Sequence, residues 1–262
     1  MKELRSRAPL QFALLAALVV VACFTLIPSA ANLSYVDHGS LRQSAISAVL
    51  LAALYLFSGE WQLEATPGGK PLPLARTFGV VLLAALVIGL AAVYVQGSVI
   101  SPPRHAILMF VALMLGTAVF EEILFRAFFF EAFATELRTR GSEKSLLYAA
   151  LVSSLLFGLL HVTSDLGSLF RLTAYVQAAA KVLEAALFGM AMCAICVKTK
   201  SVWQAVLAHF AFNLLSEGPI FLATGALKFT YITGSPADIV VLLVGCAILF
   251  PAAKWAWDYL VH

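Results

Sequence analysis

Three short stretches of this 262-residue sequence place acid–base groups inside strongly apolar surroundings. The first reads Phe120-Glu121-Glu122-Ile123-Leu124-Phe125-Arg126. On a helix Glu122 and Arg126 stand i,i+4 on one face and can pair. Glu121 lies about 100° around the helix from Glu122, so it cannot share that pairing equally. The expected arrangement is one ion pair plus one carboxylate left over. A spare carboxylate held away from water suits general acid–base work. The second stretch, Phe157-Gly158-Leu159-Leu160-His161, ends in an imidazole. The third, His209-Phe210-Ala211-Phe212-Asn213, projects His209 and Asn213 from the same helix face. A single His in a membrane helix can as readily hydrogen-bond a neighbouring helix as catalyse. Three helices each offering such groups are harder to assign to packing alone.

The elements that must position these groups are membrane helices. The chain is 62% hydrophobic and only 12% charged, with mean hydropathy +0.95. A soluble domain carries about a quarter charged residues, so the solvent for most of this chain must be lipid. A hydrocarbon core about 30 Å thick needs roughly 20 apolar residues per helix. Eight segments qualify or nearly so: 8–28, 41–58, 75–96, 106–134, 146–162, 172–197, 202–216 and 235–254. The fold class is therefore all-α, a polytopic transmembrane bundle of about eight spans, with 1–262 forming a single integral membrane domain. Breakers fall between the spans: Ser58-Gly59, Thr66-Pro67-Gly68-Gly69, Ser101-Pro102-Pro103 and Gly141-Ser142. The first apolar run follows Lys2, Arg5 and Arg7 and ends near Pro28-Ser29-Ala30-Ala31, which resembles a signal peptide. It is longer than a signal's apolar core, and we read it as a retained helix.

Basic residues set orientation. With the N-terminus in the cytoplasm, Lys2, Arg5, Arg7, Lys70, Arg76, Arg138, Arg140, Lys144, Lys198, Lys200 and Lys254 lie inside. Only Arg42, Arg104, Arg171 and Lys228 lie outside. The asymmetry predicts both termini in the cytoplasm. The net charge of +3 gives no reason to expect nucleic acid.

Taken together, Glu121-Glu122-x-x-x-Arg126, Phe157-x-x-x-His161 and His209-x-x-x-Asn213 resemble the three motifs of the CPBP (CAAX protease and bacteriocin-processing, or ABI) intramembrane proteases. That group includes the type II CAAX prenyl proteases. The motifs occur in family order, each on an expected span, and cover 106–216 as the catalytic core. The resemblance implies a glutamate-dependent endopeptidase with no metal or other cofactor. Its substrate would be a membrane-associated protein or peptide, such as a lipidated one or one with a C-terminal anchor. By position, Glu121 would be the general base that deprotonates a water and His161 would help to hold that water. His209 and Asn213 would steady it and donate to the developing oxyanion. Glu122 and Arg126 would lock the helix and orient Glu121, and Phe157 would pack. Amide hydrolysis needs an activated water and preorganised donors where negative charge develops, which agrees with that assignment.

Two other functions remain open on the residues alone. Two Glu and two His could bind zinc as in a metalloprotease, although no H-E-x-x-H is present. Intramembrane charges could also form a proton path in a transporter or scaffold. Against that, no matching pair of Gly/Pro-broken helices marks two halves. Lys181 and Glu184, spaced i,i+3, are expected to pair structurally, and His38 and His105 to lie in loops. Trp255, Trp257 and Tyr259 read as an interfacial anchor. The four cysteines read as packing. Compact size and short loops favour a bacterial plasma membrane over the endoplasmic reticulum. Straight vertical helices would leave the catalytic groups at different depths, so their convergence needs tilt or a seventh helix that starts deeper.

Overall fold

The computed structural model describes residues 1–26, 38–64, 67–96, 102–162, 172–227 and 231–261. The signal-like run Pro28–Ala31, together with Thr66, Ser101, Arg171, Lys228 and the side chain of His38, lies outside what it describes. Among the described residues the chain is helical with no strand. A short α1 (Lys2–Arg7) leads into α2 (Pro9–Leu26), α3 (His38–Ser58) and α4 (Leu74–Gln96). The fourth span begins as α5 (Arg104–Glu122), continues as a π-helical segment (Ile123–Phe130) and ends as α6 (Glu131–Thr139). Then follow α7 (Ser145–Leu160), α8 (Leu172–Thr199), α9 (Val202–Thr224) and α10 (Pro236–Leu260).

Seven of these runs are long and apolar enough to cross a membrane, with 104–139 counted as one. α7 is equally apolar but shorter. Every expected span thus corresponds to a helix, and the chain is an all-α integral membrane protein. The outward faces explain why water cannot be the solvent. Phe57 and Leu108 are each 73% exposed, and Leu18, Val49 and Leu207 are exposed as well. A contiguous surface of this kind would drive aggregation in water but is matched to hydrocarbon.

α8 is the most enclosed helix, packed between α7 and α10. α9 lies against α4 and α5, α3 packs on α5, and α2 crosses the π segment. With lipid on the outside, close approach depends on small residues. A Cβ on Gly158 would stand 2.6 Å from the Val182 carbonyl oxygen, so only glycine lets α7 press onto α8 there.

α9 runs further than the expected 202–216. The helix continues through Pro219 and stops at Gly225, whose φ is 71°. Pro219 cannot donate to the Leu215 carbonyl four residues back. α4 presents Gly89 at that spot, where a Cβ would stand 2.3 Å from the Leu215 oxygen. The extra turns enclose Ser216 and Glu217 within the bundle. His105 lies in the first turn of α5 rather than in a loop, and it is exposed as expected.

Candidate active site

α5 delivers Glu121 and Glu122 on its last two residues, and the π segment starts at the next one. π turns are rare and collect at functional sites, because they need support from their surroundings. Glu122 and Arg126 are fully buried, and Arg126 Nε lies 3.1 Å from Glu122 Oε2. The expected pair therefore forms, but as an ion pair without hydrogen-bond alignment, since neither atom has a hydrogen-bond partner. Arg126 Nη1 and Nη2 are also buried without hydrogen-bond partners among the described residues. The guanidinium instead lies 4.4 Å over the Phe157 ring, a cation–π contact.

His209, 3% exposed, connects the two carboxylates. Its Nδ1 is 2.7 Å from Glu122 Oε1, and its Nε2 is 3.5 Å from Glu121 Oε2. The tautomer with a proton on Nδ1 donates to Glu122, which fixes the ring and turns Nε2 towards Glu121. Glu122 thus holds Arg126 with one oxygen and His209 with the other. Glu121 Oε2 is buried and makes no hydrogen bond among the described residues. In an apolar bundle, free hydrogen-bonding capacity of this kind costs about 1–3 kcal/mol per group, so it marks a site rather than a clamp.

His161 caps the C-terminal end of α7, half-buried, with Nδ1 2.9 Å from the Phe157 carbonyl oxygen. No hydrogen bond or ion pair joins it to Glu121 or His209 among the described residues. Phe157 meets both imidazoles, its ring centre 4.6 Å from that of His161 and 5.9 Å from that of His209. The packing expected of Phe157 is observed: it is 1% exposed and also meets Phe125 and Phe188 edge-on or stacked. Phe188 of α8 approaches His209 at 4.8 Å, which closes the apolar wall. Asn213, one turn along α9 from His209, is half-buried, and its side chain makes no hydrogen bond among the described residues.

The structure thus joins Glu121, Glu122, Arg126 and His209 directly. It sets His161 one ring away and leaves the Asn213 amide free on the same helix. The depth mismatch expected of straight helices does not separate Glu121 from His209. Lys181 and Glu184 pair at 2.8 Å as their spacing suggests. Tyr231, in the segment before α10, stands with its ring 5.9 Å from Lys181 Nζ. Burial pushes its phenol well up, and the negative charges of Glu217, Glu184 and Asp238 add to that.

Sequence reasoning missed several polar positions. The link from Glu122 to His209 crosses 87 residues and has no local signature. Arg5, read only as a topology charge, is buried against Glu131 at 2.6 Å. Glu131 follows Phe128-Phe129-Phe130 directly and could have been flagged as a further carboxylate on the fourth span. The π segment left no visible sequence signal.

Among the described residues, no three His, Cys, Asp or Glu side chains are arranged to hold a metal ion. The array is thus a membrane-embedded carboxylate–imidazole–carboxylate set next to an ion-paired arginine. Residues 103–215 match the family model described as type II CAAX prenyl endopeptidase, Rce1-like. That stretch spans α5 to most of α9 and contains all three motifs, so the likeness to the CAAX protease family lies in these helices. No curated protein matches the chain.

Proposed function

We propose that the protein is an intramembrane glutamic endopeptidase that hydrolyses a peptide bond of a membrane-associated substrate without a metal. One observation carries the reading. The buried Glu121 Oε2, free of any hydrogen bond, stands 3.5 Å from His209 Nε2. Glu121 takes a proton from a water, and the resulting hydroxide attacks the scissile carbonyl carbon. His209 Nε2, the acceptor nitrogen of the tautomer protonated on Nδ1, takes a hydrogen bond from the water and steadies it, and the Asn213 amide donates to the oxyanion that forms. His161 helps to steady the water. As the tetrahedral adduct collapses, Glu121 passes its proton to the departing amine, which balances the reaction. Glu122 and Arg126 keep His209 and the helix in register throughout.

The substrate class follows from the family match: a membrane-associated protein, with a prenylated C-terminal segment as the first choice to test. The charge asymmetry supports both termini in the cytoplasm, and 1–262 works as one integral membrane domain. The bacterial plasma membrane fits the compact chain better than the endoplasmic reticulum. The test uses purified protein in lipid vesicles with a quenched fluorogenic prenylated peptide. Wild type should cleave it, and Glu121→Gln should not, while remaining folded. Cleavage by Glu121→Gln at the wild-type rate would overturn the reading.

A further inference from the structure

The matched stretch begins at residue 103, yet part of what shapes it comes from the extreme N-terminus. Arg5 on α1 is 4% exposed. Its Nη1 donates to Ser58 Oγ at 3.1 Å and to the Gly59 carbonyl. Its Nη2 donates to the Ala127 carbonyl at 2.9 Å and to Glu131 Oε2 at 2.6 Å. The guanidinium also stands 5.4 Å from the Tyr55 ring centre and 5.3 Å from that of Phe128. On the other side of Arg126, the Phe125 carbonyl accepts from Ser153 Oγ of α7 at 2.6 Å. The two residues that flank Arg126 thus each have their carbonyl fixed by a donor from another helix.

We propose that Arg5 is a positioning residue for the site. With Ser153 it holds the π turns of 123–130, and through them the placement of Glu122 and Arg126 against His209. The proposal rests on the protease reading for its kinetic consequence but not for its structural one. Eight consecutive π-helical residues make nearly two turns where a single turn is usual, so outside support is expected. Each residue in a π turn advances through a smaller angle than in an α turn. Relaxing the segment to α geometry would therefore rotate Glu121 and Glu122 relative to Ala127 and Glu131. A shift of about 1 Å in such an array is enough to lower turnover by an order of magnitude or more. Only an arginine has the planar fork that reaches acceptors on the end of α3 and on the fourth span at once.

A purely structural anchor would hold α1 in place and raise stability, but it would leave turnover per folded molecule unchanged. The two roles separate in full-length protein in lipid nanodiscs, assayed with a fluorogenic prenylated peptide. Arg5→Lys keeps the charge but loses the fork, and Ser153→Ala removes one hydrogen bond with little change in volume. Each should lower kcat about tenfold with KM within about twofold, and speed amide hydrogen exchange across 126–131 by a similar factor. Unchanged exchange across 126–131 in both variants overturns the proposal, whatever the activity. Faster exchange with kcat per folded molecule equal to wild type overturns it too, since the anchor is then only structural. If wild type cleaves nothing while Arg5→Lys still loosens 126–131, the protease reading falls and the hold of Arg5 on the π turn stands.

Discussion

The long span from Arg104 to Thr139 runs past two buried arginines that are treated in opposite ways. Arg5 meets it near Ala127 and Glu131 and has hydrogen-bond acceptors for both Nη atoms. Arg126 belongs to the span itself, and its two Nη atoms have no hydrogen-bond partner. Both are almost wholly excluded from solvent, so burial alone does not explain the contrast. A saturated buried cation ties segments together, and every added bond offsets its desolvation. An unsaturated one, beside a carboxylate with an unused oxygen, is costly to fold and is retained where polar capacity is needed for something else. The first region has the saturated bonding of a clamp and the second the spare polar capacity that the proposed function uses, a few residues apart on one helix.

The contrast predicts that mutations in the two regions differ in kind. Glu121→Gln should lower cleavage by about 10³-fold, the range expected for a lost general base, and leave thermal unfolding close to wild type. A large fall in stability with only modest loss of activity would place Glu121 with the clamp instead. Glu131→Gln should do the reverse. Removing the anion beside buried Arg5 should cost about 3 kcal/mol or more of stability, read by unfolding in detergent. Cleavage per folded molecule should fall far less than for Glu121→Gln.

Smaller effects sharpen the picture. Asn213→Ala should lower kcat by about 10²-fold with little change in KM, as for one oxyanion donor. An unchanged kcat would remove Asn213 from the working region. A strong chelator should leave cleavage unaltered, since no metal-holding set of side chains occurs among the described residues. Loss of activity that zinc restores would reassign the carboxylates and imidazoles as ligands. Least affected should be Arg140→Ala, which breaks an exposed pair with Glu136. Exposed pairs of this type contribute well under about 1 kcal/mol, so both unfolding and turnover should stay at wild-type values.

Composition and spacing made much of this protein legible. Apolar run length fixes the number of helices, because lipid admits no unpaired backbone and hydrophobic thickness sets a minimum span. The Glu122–Arg126 and Lys181–Glu184 pairs follow from helix periodicity alone, because both partners lie within one turn. What lay beyond reach depends on contacts between helices. Glu122 could be assigned to Arg126 by spacing, but its second oxygen binds His209, 87 residues away, and only helix packing makes that contact. Arg5 looked like an orientation charge until α1 folded back on the π segment, where four acceptors converge on it. The extension of α9 past Pro219 likewise depended on Gly89 of another helix. A sequence carries the local rules of turn and transfer from water, which act over a few residues. Which oxygen or guanidinium is saturated and which is left free is decided by long-range packing, and that difference separates the clamp from the candidate catalytic centre.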